Sequence, residues 1–129
     1  MARAIPIKAR PGTTEFRPII EMTSYGSLLC YDKCGGRWFR SSQWAVEDAL
    51  ARFQSTYDNI DCVSIADLHN ELDIIETPKD DIYGWNSAIH GGGLLLQTDL
   101  KRDGFMGMRE PVLVIIPNKL PEKDYKDNI

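Results

Sequence analysis

The chain lacks any apolar run near the roughly 18 residues of a membrane-spanning helix. Its longest candidates, residues 94–96 and 112–116, are strand-sized. The opening residues, Met1 to Lys8, contain no apolar stretch long enough for a signal peptide. Cysteine is scarce and odd in number. With Cys30, Cys34 and Cys62 alone, a disulfide framework is not expected. Histidine is scarcer still, with only His69 and His90. No G-x-S-x-G nucleophile elbow occurs, so His90-Gly91-Gly92-Gly93 has no serine to serve as an oxyanion-hole motif. Those glycines also lack the Lys-Ser/Thr of a phosphate-binding loop and read as a connection before a strand. These absences point to a soluble, intracellular protein without an assembled catalytic motif.

What is present is ordinary in bulk and uneven in arrangement. The 129 residues, 43% hydrophobic and 26% charged, suit one globular domain. The net charge is −4, but it is unevenly distributed. Residues 1–40 carry seven basic against three acidic side chains, a balance of +4. Residues 58–81 carry Asp58, Asp61, Asp67, Glu71, Asp73, Glu76, Asp80 and Asp81 against Lys79 alone, a balance of −7.

Local patterns predict the elements. Pro6, Pro11-Gly12 and Pro18 make residues 1–18 an extended N-terminal segment. Residues 15–22, 27–31 and 37–40 read as strands around the turns Tyr25-Gly26 and Asp32–Gly36, an antiparallel meander. Ser41 or Ser42 then caps a helix whose apolar stripe is Val46, Ala49, Leu50, Phe53 and Tyr57. Ser64-Ile65-Ala66-Asp67 resembles a capping box that opens a second helix, ending before Pro78. A strand over 94–101, the turn Asp103-Gly104 and an apolar central strand over 111–116 follow. The polar residues 118–129 read as a tail. The expected fold is α+β: a small antiparallel sheet of about five strands with two helices packed on one face, in a single domain over 19–117.

Candidate chemistry is thin. Cys30, Cys34, Cys62 and His69 are ligand types for zinc, but a second tight pair is missing. Cys62 and His69 form a thiol–imidazole pair only if the fold brings them together. Asp99-Leu100-Lys101 matches the D-x-K element of metal-dependent nucleases, which needs further carboxylates such as Asp80 or Asp81. Each has a simpler structural reading, so no catalytic residue, cofactor or metal is expected. The acidic run is the most distinctive feature. Its partner-binding candidates are Asp61, Asp67, Glu71, Asp73, Glu76, Asp80 and Asp81, with Trp85 as an aromatic anchor unless it packs in the core, the commoner role for such a residue. Trp38 and Trp44 read as closing the core. An acidic surface repels nucleic acid and attracts a protein with a basic surface.

One resemblance carries these pieces further. Leu29-Cys30-Tyr31-Asp32 followed by Gly36-Arg37-Trp38-Phe39-Arg40-Ser41 is similar to a C-Y-D, turn, G-R-Y-F-x-S pattern. Residues 63–72 resemble that pattern's next helix, and Asp81-Ile82-Tyr83-Gly84-Trp85-Asn86 resembles its d-x-l-G-W-n segment. The strand over 111–116 and Asp124-Tyr125 also fit. Over about residues 25–129 the chain thus resembles the C-terminal part of an uncharacterised family of bacteriophage and prophage proteins. That resemblance implies a phage or mobile-element origin and brings no reaction, cofactor or catalytic residue. Family members often carry hydrophobic segments upstream, where this chain has only a short, basic, proline-punctuated one, so no membrane attachment is expected.

The leading expectation is a phage-encoded, non-catalytic interaction module in the cytoplasm of an infected or lysogenic bacterium. It would inhibit a nucleic-acid-handling defence effector, in the manner of an anti-CRISPR protein, without touching nucleic acid itself. The alternatives are a virion or assembly component, whose N-terminal arm crosses to a neighbouring subunit, and a small metal-dependent enzyme.

Overall fold

Ser42 has extended backbone and its hydroxyl accepts the Ala45 amide, which starts helix α1, Gln43–Ile60. The stripe read from the sequence, Val46, Ala49, Leu50, Phe53 and Tyr57, is buried along its length. Asp61 ends the helix with φ of 63°. Ser64 and Asp67 form the reciprocal capping box, each side chain accepting the other's amide, and open α2, Ile65–Glu71. In this computed structural model, residues 4–10, 13–87, 93–123 and 125 are described, with side chains from Pro18 onward within those ranges.

The strands are β1 (Ala4–Arg10), β2 (Thr13–Pro18), β3 (Ile20–Met22), β4 (Leu28–Asp32) and β5 (Arg37–Ser41), then β6 (Cys62–Ser64), β7 (Tyr83–Asn86), β8 (Leu96–Lys101), β9 (Val112–Pro117) and β10 (Glu122–Lys123). The main sheet has the order β3-β5-β4-β9-β8. It is mixed, which corrects the antiparallel expectation. The β4/β5 and β8/β9 pairs are antiparallel, but β3/β5 and β4/β9 run parallel. Short turns dictate antiparallel pairing only between strands they join directly. β4 and β9 are separated by both helices and four strands, so their direction was open.

Strand β9 is interior and buried on both sides. Leu113 and Ile115 join Cys30 and Phe39 in the main core with the apolar residues of α1 and α2. Val112 and Val114 join Leu29 and Trp38 in a second cluster, flanked by Tyr31 and Phe105. A strand with two buried faces reads as a continuous apolar run.

Two segments differ from expectation. The N-terminal segment is not a lone extended arm. Its β1 and β2 pair antiparallel in a two-stranded sheet, where Pro6 is tolerated because both strands are edges. The expected strand over 15–22 is divided at Ile19, so β2 pairs with β1 and β3 with β5. The polar tail also contributes structure. β10 joins a second sheet of order β10-β7-β6, and Tyr125 is buried just beyond it. Asn86 donates to the Tyr125 carbonyl at 3.0 Å. Gly84 makes room for this: a Cβ there would lie 2.8 Å from the Tyr125 ring and 2.2 Å from the Val63 carbonyl oxygen. Among the described residues no helix is long and apolar enough to cross a membrane.

Candidate functional site

A line of buried charge joins the main sheet to α2 and to the 3₁₀ turn before β7. Asp32, the last residue of β4, accepts the amides of Cys34 at 2.8 Å and Gly35 at 3.1 Å, which shapes the turn into β5. The same carboxylate lies 2.6 Å from His69 Nε2. His69 projects from α2, and its Nδ1 lies 2.9 Å from Asp80 Oδ2. Asp80 sits in the 3₁₀ turn Pro78–Asp81, accepts the Thr77 amide at 2.9 Å and faces Arg37 Nη1 at 3.5 Å. Arg37 in turn pairs with Glu21, whose other oxygen accepts the Ile75 amide. Asp32 and His69 are fully buried, and Arg37 and Asp80 nearly so. Gly35 is required here, because a Cβ would stand 2.6 Å from the His69 ring.

Both ring nitrogens of His69 face carboxylate oxygens, an arrangement that favours the doubly protonated ring. Burial alone pulls its pKa down. The hydrogen bonds to Asp32 and Asp80, together with their charges, outweigh that and hold it above its ordinary value. Burial likewise works against the Asp80 carboxylate, yet the bonds from His69 and Thr77 bring it down to about 2. With both ring nitrogens engaged by buried carboxylates, His69 presents no open nitrogen in this arrangement. Neighbouring Cys34 is no better placed as a nucleophile. Burial, then the charge of Asp32, holds its thiol well above the usual range. A cavity of about 210 Å³, lined by Cys34, Gly35, Ile65, Lys79, Asp80 and Tyr83, lies beside this cluster.

The other candidates do not assemble. The Cys30 thiol donates to the Leu28 carbonyl in the core, and burial pushes its pKa to about 12. Cys62 lies on β6 opposite Asn86. Asp99 and Lys101 pair with each other at 2.7 Å on the edge strand β8. Among the described residues no three His, Cys, Asp or Glu side chains form a group that could hold a metal ion. His90 lies outside the described residues.

The acidic run is split by the fold. Asp61, Asp67, Asp73, Glu76 and Asp81 are exposed, and Glu71 is half-buried. Asp80 is buried against His69, so it does not belong to a contact surface. Trp85 is also withdrawn from that role. It is fully buried, meets Phe53 edge-on at 5.7 Å and donates to the Lys119 carbonyl at 2.8 Å.

Trp44 is exposed instead, 64% accessible, which corrects the expectation that it closes the core. It meets Tyr25 edge-on at 6.1 Å. Both line a cavity of about 240 Å³ together with Asp48, Arg52, Glu71 and Leu72. Arg52 sits within this group, its Nε donating to Glu71 at 2.6 Å and its Nη1 to Asp48. The sequence held a signal for this. Trp44, Asp48 and Arg52 stand at i, i+4 and i+8, on the polar side of α1 away from the Val46–Leu50–Phe53 stripe. No known protein family, curated protein or solved structure matches the chain.

Proposed function

We propose that this protein is a non-catalytic interaction module that binds a basic protein surface through the acidic rim around α2. The observation that carries the reading is the exposed Trp44–Tyr25 pair, opening on a cavity shared with Asp48 and Glu71. Solvent-facing tryptophan and tyrosine at the edge of a concavity are the residue types that dominate protein–protein binding energy. In the acidic run Asp61, Asp67, Asp73, Glu76 and Asp81 face solvent, and only Lys79 offsets them. Such a field speeds encounter with a cationic partner and disfavours nucleic acid. The saturated hydrogen bonding of His69 supports a structural role for the most chemically suggestive cluster in the molecule. The sharper form of the reading is a phage-encoded inhibitor of a bacterial defence effector, whose nucleic-acid channel offers the basic surface.

The test is affinity capture of the tagged protein from lysate of a bacterial host, read by mass spectrometry. The expected result is a stoichiometric nucleic-acid-handling complex that is lost on Glu71→Lys/Glu76→Lys/Asp81→Lys. Asp67 and Asp73 are left unchanged, because one closes the α2 capping box and the other holds φ at 63°. Capture that survives the triple change would overturn the acidic-surface reading. Recovery of capsid or tail proteins from an infected lysate would replace it with a particle component.

A further inference from the structure

We propose that the cavity bounded by Tyr25, Trp44, Asp48 and Glu71 receives an arginine side chain of the partner protein. The inference rests on the interaction reading above and names the group that the site recognises.

The walls differ in kind. The lining holds two aromatic rings, Trp44 64% and Tyr25 44% accessible, with planes at 87° to each other. An exposed indole leaves a large apolar face in water, and the face of an indole attracts a cation. The lining also holds Asp48, one turn after Trp44 on α1, and Glu71 from α2. Arg52 holds both, binding Asp48 through Oδ2 and Glu71 through Oε2, and its Nη2 also donates to the Glu71 carbonyl at 3.3 Å. The carboxylates are thereby fixed in position. Among the described residues Asp48 Oδ1 and Glu71 Oε1 have no hydrogen-bond partner. Two carboxylates against one guanidinium leave the lining with a charge of −1. Asp67, exposed one turn before Glu71 on α2, adds to it. The cavity thus offers a stacking wall, remaining acceptor oxygens and an unbalanced negative charge.

Among biological cations this combination selects the guanidinium. A planar group can lie on the indole and direct its fork of N–H donors at a carboxylate in the same pose, whereas an ammonium is a compact, strongly hydrated point charge that does not stack. An anionic ligand would meet Asp48 and Glu71 directly.

The test is a two-dimensional amide and indole NMR titration of the labelled protein with acetyl-Gly-Arg-Gly-amide. Matched lysine and citrulline peptides serve as controls. The Trp44 indole signal is assigned by its loss in Trp44→Phe. The arginine peptide is expected to shift the Trp44 indole and the Tyr25 and Glu71 amides saturably, with a millimolar Kd typical of one side chain. The lysine peptide should bind several-fold more weakly and the citrulline peptide should give no saturable shift. Glu71→Gln and Trp44→Ala should each weaken binding about tenfold or more, with the rest of the spectrum unmoved. No saturable change at Trp44, or an equal response to citrulline, would overturn the proposal. The two levels fail separately. If Trp44→Ala still captures the partner at full yield while the triple lysine variant loses it, the acidic surface stands and the arginine pocket falls. If the wild type captures no partner, the interaction reading falls, and the titration still decides whether the cavity selects arginine.

Discussion

Replacing His69 by leucine removes the cation between two buried carboxylates while keeping most of the volume. The cost follows from what each carboxylate retains. Asp32 still accepts the Cys34 and Gly35 amides, and Asp80 still accepts the Thr77 amide and faces Arg37. Breaking a buried ion pair by deleting one partner costs about 3–5 kcal/mol. The Asp80 carboxyl, which folding moves from 3.8 to about 2, alone accounts for roughly 2 kcal/mol of linked stability. The retained donors put the expectation at the lower end, about 3 kcal/mol at pH 6. Urea unfolding followed by circular dichroism should show the midpoint falling by roughly 1–3 M, given an m-value of about 1–3 kcal/mol/M. The pH dependence carries a sign. His69 is held above its ordinary 6.5 in the folded protein, so its contribution is complete below that pH and is lost as pH rises through the raised value. Asp80 is held below 3.8, so its contribution is complete above that pH and is lost as pH falls toward 2. The wild type should therefore be most stable between about pH 4 and 6.5 and weaken toward alkaline pH, whereas His69→Leu should lose that alkaline slope. Adding Asp80→Asn to His69→Leu should return part of the loss. A difference below about 1 kcal/mol at pH 6, or parallel profiles from pH 6 to 9, would refute the reasoning.

The exposed and buried tryptophans should behave oppositely. Trp85→Ala should cost about 3–5 kcal/mol in the same urea assay, while Trp44→Ala should stay within about 0.5 kcal/mol of wild type. Among the cysteines, native-state labelling with a chromogenic disulfide at pH 8 should modify Cys62 first. Burial holds the Cys30 thiol near 12 and the Cys34 thiol well above its ordinary value, and the fast phase should vanish in Cys62→Ser.

How much of this was legible in the chain depended on the range of the signal. Helix α1 was, because a cap and a 3.6-residue stripe are local. So was α2, whose capping box spans four residues, and so was β9, because a strand buried on both faces is apolar at every position. The parallel pairings and the β10-β7-β6 sheet were not. Direction is set by how distant segments meet, and a short polar stretch gives no sign that its one tyrosine will be buried. The same limit applied to the site. Charge density marked residues 58–81, but only the fold separates Asp80, turned inward to His69, from its exposed neighbour Asp81. Trp85 stood as a candidate anchor and Trp44 as core, and the fold reverses both: Trp85 lies buried on the central strand of the β10-β7-β6 sheet, while Trp44 stays in solvent.

The parallel β4/β9 pairing has a kinetic consequence. The two ladders beside it, β4/β5 and β8/β9, join strands close in sequence and can form early. The seam between them brings Leu29 against Val112 and Asp32 against Ile115. Closing so long a loop must be compensated by contacts that exist only once α1, α2 and the second sheet are in place. Before that moment each hairpin presents a long apolar strand with an unsatisfied edge at what will become the middle of the sheet. The most buried strand of the finished protein is thus its most adhesive surface during folding. Slow refolding and concentration-dependent aggregation should therefore share one origin at this seam.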